Sequence, residues 1–305
     1  MDVVYVVGPQ KRSEELRYSL RALAAHVPHD RVWIVGHMPR WVQGVRHIPR
    51  AQFSTKWANS TANMRAACGH PEVSDEFIYM NDDFFTMRPV DQIPVLHRGP
   101  VADVAARTPH SRYRAGMLAT ARALHALGVA EPLSYELHVP MVVDKARMLD
   151  ALSRPQVRGI PVVHKRTLYG NLAGIGGEQV ADVKVHSASQ AAPSGDPLFI
   201  STNPGAFTDG PVGRLIRAAL PDPCRYEDDY EPLPDPGPED DQEETEQAPE
   251  PEDAPPAESP PEAAPPGRPM ARASKAAWVD YAVDQGHDRE AAEALTKAEL
   301  QQIGG

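Results

Sequence analysis

The sequence predicts an α/β fold with a mostly parallel sheet, followed by a linker and a small helical module. Val3 to Val7 is a β-branched run that ends at Gly8-Pro9, which is typical of a buried strand and its turn. A helical pattern from Ser13 to Ala24 and a second apolar run from Arg31 to Gly36 follow. Strand, helix and strand at this spacing indicate a βαβ unit, and therefore parallel strand pairing.

Apolar spacing and turn residues assign the later elements. Thr61 to Cys68 is predicted to be helical, and Phe77 to Met80 is predicted to be a short buried strand. Val101 to Leu127 is mostly helical in pattern, and Asp144 can cap a helix that runs to Leu152. The remaining elements are two short strands and a helix, at Lys184–His186, Leu198–Ser201 and Pro211–Leu220.

Composition divides the chain at about residue 228. The chain has 305 residues, of which 41% are hydrophobic, and a formal net charge of −11. Glu227 to Glu262 holds 16 acids and no Lys or Arg, which leaves 26 acids against 31 bases elsewhere. We therefore predict a mildly basic enzyme-sized domain at 1–228, an acidic, Pro-rich disordered linker at 229–270, and a small helical module at 271–305.

The sequence also bears on compartment and ligand class. Two cysteines, Cys68 and Cys224, cannot form a disulfide framework, which favours a reducing compartment. No apolar run approaches the roughly 20 residues that a membrane span needs, and the first residues lack the pattern of a signal peptide. We expect a cytoplasmic protein. Neither a Rossmann nor a P-loop glycine motif occurs, so any nucleotide would be bound in another way.

Asn81-Asp82-Asp83 ends the predicted buried strand. Two adjacent carboxylates in such a place are costly unless a cation compensates them. Ligands of open α/β sheets bind at the carboxyl ends of strands, and carboxylate oxygens suit Mg²⁺ or Mn²⁺. The pattern therefore predicts a metal and diphosphate site at Asp82 and Asp83. The alternative is a solvated turn, since Asn and Asp are common turn residues.

Four sequence blocks lie between residues 2 and 227. They are Asp2–Gly8; Glu15–Arg21 with Ile34-Val35, Asn59-Ser60 and Phe77–Asp83; His138–Lys145; and Phe199–Asn203 with Leu220–Glu227. In order and approximate spacing they resemble the Stealth family, which includes bacterial capsular polysaccharide phosphotransferases and the catalytic part of the lysosomal N-acetylglucosamine-1-phosphotransferase. The chain departs from that pattern where Met141 replaces a second His, and its first block is shortened.

The resemblance implies a GT-A-like nucleotide-sugar-binding fold that transfers a sugar-1-phosphate from a nucleotide sugar, such as a UDP-sugar, to a hydroxyl of a carbohydrate or protein acceptor. Asp82 and Asp83 would hold the metal, and His138 would be the base for the acceptor hydroxyl because histidine titrates near neutrality. Asp2 would orient the donor or add a carboxylate. The residues expected to bind phosphate, nucleotide or sugar are Arg17, Asn59, Asn63, Asn203, Arg214 and Arg217.

Each assignment has an alternative. A lone histidine is commonly a hydrogen-bonded structural residue, helix arginines are commonly solvated, and Asp2 lies near a terminus that can fray. An ordinary glycosyltransferase, which transfers the sugar itself, would use the same fold. A non-catalytic binding or assembly protein is the third hypothesis, and Met141 keeps it open.

The predicted module at 271–305 resembles small helix-extended-helix modules of the SAP type. Lys275, Arg289 and Lys297 are offset by acids, so we expect it to dock a protein rather than nucleic acid. A Stealth-like enzyme with such a tail resembles bacteriophage proteins in style, which would place it in the host cytoplasm.

Overall fold

The computed structural model describes residues 1–9, 14–51, 55–228, 275 and 278–279. The predicted linker and nearly all of the predicted C-terminal module lie outside the described residues, so these two assignments and the docking role stay predictions. Lys275, Trp278 and Val279 are helical. None of the described helices has the length and apolar content that a membrane crossing requires.

Ten strands are described within the first 228 residues. In chain order they are β1 (Asp2–Val7), β2 (Val32–Gly36), β3 (Arg46–Pro49), β4 (Glu76–Asn81), β5 (Phe84–Thr86), β6 (Leu96–His97), β7 (Met141–Asp144), β8 (Glu178–Gln179), β9 (Lys184–Val185) and β10 (Phe199–Thr202).

The same part of the chain contains eight α-helices and a short 3₁₀ turn at Pro155–Val157. The helices are α1 (Glu14–His26), α2 (Lys56–Gly69), α3 (Val101–Ala106), α4 (Arg112–Ala126), α5 (Lys145–Ser153), α6 (Lys165–Ala173), α7 (Pro204–Asp209) and α8 (Pro211–Ala219).

The central sheet has five strands in the order β3-β2-β1-β4-β7. The first four are parallel, and β7 pairs antiparallel with β4 at one edge. The predicted α/β fold with a mostly parallel sheet is therefore confirmed. A second sheet, β5-β10-β9, continues from the end of β4, with β10 antiparallel to β5 and parallel to β9. A two-stranded sheet joins β6 and β8.

Burial on both faces explains the continuous apolar run of β1. Val4 and Val6 face one core, which includes Tyr79 and side chains from α2, α5 and α6, while Val3 and Tyr5 face a second core with α1. Side chains alternate between the two faces of a strand, so a strand covered on both sides needs apolar residues at every position. This pattern gave the correct position of the central strand.

Most predicted elements occur near their expected places, with two informative differences. Strand β3 was not predicted, because Ile48 is its only buried residue and its edge position needs no apolar run. The predicted helix at 101–127 is two helices, since Pro109 interrupts it and Ser111 caps α4 by accepting the Arg114 N–H at 3.2 Å. The predicted cap of α5 is confirmed, since Asp144 accepts the Arg147 N–H at 2.8 Å.

Candidate functional site

The carboxyl ends of β1 and β4 meet where the strand order reverses. From β1 the chain passes to β2 and β3 on one side, and it returns through α2 to β4 on the other side. Val6 and Asn81 are register partners at this edge, and Asp82 and Asp83 follow directly. Ligands of open α/β sheets bind in the crevice at such a reversal. The two carboxylates thus lie where a ligand crevice is expected.

The carboxylate of Asp83 is only half satisfied. Its Oδ2 pairs with the ammonium of Lys184 from β9 and accepts a hydrogen bond from Ser201 Oγ of β10 at 3.3 Å. Its Oδ1 is buried and has no hydrogen-bond partner within the described part of the chain. A buried carboxylate oxygen without a partner is costly, which favours a ligand that supplies positive charge or a donor.

Two further carboxylates lie close enough to Asp83 for its charge to raise their pKa values. Burial and the charge of Asp83 raise the pKa of Asp82 to about 7. Glu15 of α1 is 5% exposed and accepts a hydrogen bond from Thr202 Oγ1 at 2.5 Å. Burial and then the charges of Asp83 and Asp82 raise the pKa of Glu15 to about 8, against a smaller opposing effect of Lys184. Ionisation of these acids is therefore unfavourable without further positive charge, and we call Glu15, Asp82 and Asp83 the acidic cluster.

The acidic cluster suits a divalent cation shared with a substrate. Across the described residues, no three His, Cys, Asp or Glu side chains are arranged to hold a metal ion by themselves. Mg²⁺ is commonly held by only one or two carboxylates, with waters and substrate phosphates completing its coordination. The unpartnered Oδ1 of Asp83 and the raised pKa of Asp82 fit that arrangement. Asp82 and Asp83 would be the protein ligands of such an ion.

The structure brings His138 to the same region. Its ring meets that of Phe84, the residue after Asp83, edge to face with 6.2 Å between centroids. Its Nδ1 lies 2.9 Å from Oδ2 of Asp182, and its backbone N–H donates to Oδ1 of Asp182 at 3.1 Å. The His138 side chain is 30% exposed, so a substrate can reach it.

Sequence reasoning missed three residues of this site, namely Glu15, Asp182 and Lys184. Glu15 has the position of an ordinary acid in the first turn of a helix. Asp182 lies just before the two-residue strand β9 and Lys184 is its first residue, and nothing local distinguishes them from surface charges. The alternation Asp182, Lys184, His186 was the available signal, since alternate residues of an extended segment share one face.

Asp2 is not part of this site, contrary to the prediction. It is the register partner of Phe77 and lies at the amino end of β1, opposite to the carboxyl end that carries the acidic cluster. Its carboxylate accepts hydrogen bonds from Arg31 at 3.0 and 2.8 Å, from Trp33 Nε1 at 2.9 Å and from the Ser74 N–H at 3.0 Å. These contacts join β1, β2 and the approach to β4, which is a structural role.

Arg17 also lies outside this site and pairs with Glu227. Its Nη1 donates to Glu227 Oε2 at 2.8 Å, and its guanidinium lies 4.4 Å from the centroid of a Trp41 ring. Arg21 donates to the same carboxylate at 2.8 and 2.9 Å. We call Arg17, Arg21 and Glu227 the basic cluster. The predicted phosphate-binding role of Arg17 is replaced by an ion pair that joins α1 to the end of the domain.

Arg214 and Arg217 bind the carboxyl end of α7 rather than an open crevice. Arg214 donates to the Asp209 carbonyl at 3.0 Å, and Arg217 donates to the Phe207 and Thr208 carbonyls at 2.8 and 3.3 Å. The last carbonyls of a helix lack partners within the helix, so two cations there satisfy them. The two arginines share one side of α8 as predicted, but they act on a neighbouring helix.

The three predicted asparagines lie on differing parts of the structure. Asn63 is 2% exposed and donates to the Val35 carbonyl near the carboxyl end of β2. It packs on Gly36, where an added Cβ would lie 2.2 Å from the Val7 carbonyl oxygen, so glycine is required there. Asn59 precedes Asn63 by one turn of α2, and both belong to the edge that carries the site. Asn203 immediately precedes α7, and its side-chain amide donates to the His186 carbonyl at 3.2 Å.

Comparison with known proteins gives similarities of structure only. No family model matches the sequence, and no curated protein matches it. The structure of galactosyltransferase LgtC in complex with donor and acceptor sugar analogs is 12% identical with a TM-score of 0.43, covering 74% of this chain and 98% of that chain. An active-site mutant of LgtC is also 12% identical, with a TM-score of 0.41 and the same coverage.

A third solved structure is the apo-form glycosyltransferase GlyE of Streptococcus pneumoniae TIGR4. It is 12% identical with a TM-score of 0.29, covering 59% of this chain and 44% of that chain. All three are glycosyltransferases, and the mixed α/β layout of this chain is similar to theirs. Membership of the Stealth family and a bacteriophage origin are not shown by these comparisons.

Proposed function

We propose that this protein is a metal-dependent transferase of GT-A-like fold that takes a sugar from a nucleotide-sugar donor to an acceptor hydroxyl. The observation that carries the proposal is the position of Asp82 and Asp83 at the strand reversal, with the His138 ring against the neighbouring Phe84. This proximity supports an arrangement in which anchoring carboxylates and a base act on two bound substrates, which transfer between them requires.

The donor would bind through its diphosphate at the acidic cluster. A bound Mg²⁺ or Mn²⁺ would supply the charge that neutralises the diphosphate and the leaving group. Asp82 and Asp83 hold negative charge where that ion is needed, and Lys184 is a second cation within reach of a phosphate oxygen because it already pairs with Asp83. The buried side-chain amide of Asn63 fixes the end of β2 beside this crevice.

The acceptor would react beside His138. Because Nδ1 faces Asp182, the other ring nitrogen, Nε2, is the atom that can take the proton of an acceptor hydroxyl. The oxygen then attacks the donor and the nucleotide leaves. The divalent cation that Asp82 and Asp83 would hold would supply the positive charge that compensates this leaving group. The acceptor is a carbohydrate or a protein hydroxyl.

Two reactions can use this site, and they differ in the bond that breaks. Glycosyl transfer breaks the bond between the sugar and the diphosphate and releases a nucleoside diphosphate. Sugar-phosphate transfer breaks the diphosphate itself and releases a nucleoside monophosphate. We put glycosyl transfer first, because it needs the same donor site and base without membership of a particular family. Sugar-phosphate transfer is the second candidate, and the four sequence blocks favour it.

Calorimetry tests the donor site. The full chain is titrated with UDP-, GDP- and CDP-sugars, with and without Mg²⁺ or Mn²⁺, beside Asp83→Asn and the control Asp150→Asn, whose side chain is 58% exposed on α5. We expect nucleotide sugars of one nucleobase to bind, and only when metal is present. We expect Asp83→Asn to lose this binding and Asp150→Asn to keep it. Failure of every donor to bind overturns the proposal. The nucleotide released on turnover then identifies the reaction: diphosphate for glycosyl transfer, monophosphate for sugar-phosphate transfer.

A further inference from the structure

We propose that Asp182 and Arg166 are positioning residues that hold His138 in one orientation and one tautomer, with Nε2 available to the substrate. The inference rests on the proposed function, because it concerns the base of that reaction. Neither residue belongs to the predicted site, and both contact the segment around His138 rather than the reacting groups.

Asp182 binds His138 at two points. Oδ1 accepts the backbone N–H of His138 at 3.1 Å, and Oδ2 lies 2.9 Å from Nδ1. An ionised carboxylate only accepts hydrogen bonds, so Nδ1 carries the proton in this pair and Nε2 is left as the acceptor. Burial acts to raise the pKa of Asp182, but the hydrogen bonds from His138 and the charge of Arg98, whose Nη1 is 3.7 Å away, hold it below its ordinary value. The carboxylate is therefore ionised at neutral pH.

Arg166 fixes the backbone on both sides of the same histidine. Its Nη1 donates to the Leu137 carbonyl, and its Nη2 donates to the Val139 carbonyl at 2.7 Å. Arg166 is 5% exposed, and its position comes from α6. Two donors of one rigid guanidinium thus hold the residues before and after His138 at a fixed separation.

The same guanidinium reaches the strand that carries the acidic cluster. It lies 5.7 Å from the ring centroid of Tyr79 in β4 and 5.7 Å from that of Phe84, the residue after Asp83. Arg166 therefore connects the His138 segment to the end of β4 through one buried side chain. A base must be held within a fraction of an ångström of its working position, and this connection provides a physical means of doing so.

Asp182→Asn tests the inference in the full chain, because it keeps the size of the side chain and removes its charge. The ring nitrogens of His138 are observed by ¹⁵N NMR, with His138→Gln used to assign the signal. We expect a protonated Nδ1 in the unchanged protein and a mixture of tautomers in Asp182→Asn. We also expect kcat to fall by about 10²–10⁴ while donor affinity changes less than about twofold. Asp182→Glu should restore part of kcat, and Asp150→Asn should change nothing.

Arg166→Lys is the second variant, since Lys keeps the charge but cannot bridge two carbonyls. We expect a fall in kcat with donor affinity retained, which also shows that the variant is folded. An unchanged tautomer and an unchanged kcat in Asp182→Asn would overturn the positioning role. The NMR readout does not depend on turnover, so a failure of the proposed reaction and a failure of this inference are distinguishable.

Discussion

The acidic cluster and the basic cluster are both buried around helix α1, and they are built in opposite ways. In the basic cluster, Glu227 accepts hydrogen bonds from two guanidinium groups, those of Arg17 and Arg21, and these bonds lower its pKa although burial acts to raise it. In the acidic cluster, burial and neighbouring carboxylates raise the pKa of Glu15 and of Asp82. The one acid of the basic cluster is paired with two cations, whereas in the acidic cluster three acids lie beside the ammonium of Lys184, which pairs with Asp83.

This difference separates stability from function. Removing one partner of a buried, paired carboxylate is strongly destabilising, and such a carboxylate has little capacity left for a ligand. A buried carboxylate that is short of partners makes folding less favourable, and groups with such perturbed pKa values concentrate at functional sites. Helix α1 thus supplies a structural ion pair on one side and part of a candidate ligand site on the other.

The largest expected effect is the loss of stability when the ion pairs of the basic cluster are removed. Glu227→Gln leaves two buried guanidinium groups without their anion, so we expect the free energy of unfolding to fall by about 3–5 kcal/mol. Denaturant unfolding measures the change. Glu14→Gln is the matched control, because Glu14 pairs with the same Arg17 at 3.5 Å but its side chain is 41% exposed, and it should cost less than about 1 kcal/mol. Equal losses in the two variants would remove the distinction between the clusters.

The second effect concerns Lys184, the cation that pairs with Asp83 of the acidic cluster. Lys184→Met removes the partner of Asp83 Oδ2, so we expect the metal-free protein to lose about 1.5–3 kcal/mol of unfolding free energy. In the absence of a nucleotide sugar, the same change should strengthen Mn²⁺ binding, because Lys184 no longer competes with the ion for Asp83. Calorimetry with Mn²⁺ measures this, with Arg154→Gln as a surface control. Weaker Mn²⁺ binding in Lys184→Met would mean that Asp83 is not a metal ligand.

The third effect is a pH dependence of opposite sign in the two clusters. Glu15 and Asp82 have folded-state pKa values of about 8 and about 7, above their ordinary values of 4.5 and 3.8. Their contribution to stability is present at about pH 4 and is lost as the pH rises to 8, on the order of 1–3 kcal/mol in metal-free protein. Glu227, whose pKa is lowered, contributes above pH 4.5 and loses its contribution as the pH falls. Unfolding curves from pH 4 to 9 with EDTA measure the first slope, which saturating Mg²⁺ should reduce.

The smallest effect isolates one acid of the acidic cluster. Glu15→Gln cannot ionise and still can accept the hydrogen bond of Thr202, so we expect a gain on the order of 1 kcal/mol at pH 8 and none at pH 4. Thermal unfolding at the two pH values is sufficient. A loss of stability at pH 8 would show that ionised Glu15 is needed for folding rather than tolerated.

The sequence allows the sheet and the position of Asp82 and Asp83 to be predicted, since a buried parallel strand and its polar end are local patterns. The same reasoning should have excluded Asp2, which begins its strand and therefore lies at the opposite edge of the sheet. The partners of Arg17 could not be predicted, because Glu227 is 210 residues away along the chain. Asp182 and Lys184 were missed as well, because the alternation of Asp182, Lys184 and His186 is a weak signal around a strand as short as β9.

Glu227 also anchors the end of the described domain through its backbone. Its backbone carbonyl accepts from Gln43 Nε2 at 2.6 Å, and the Asp228 N–H donates to the Trp41 carbonyl at 3.0 Å, so the last described segment of the domain is bonded through both its side chain and its backbone. A chain cut after Asp228 keeps all of these bonds, whereas one cut after Tyr226 loses them all. The end of the described domain is therefore fixed by residues 227 and 228, and a truncation must keep both of them to keep these bonds.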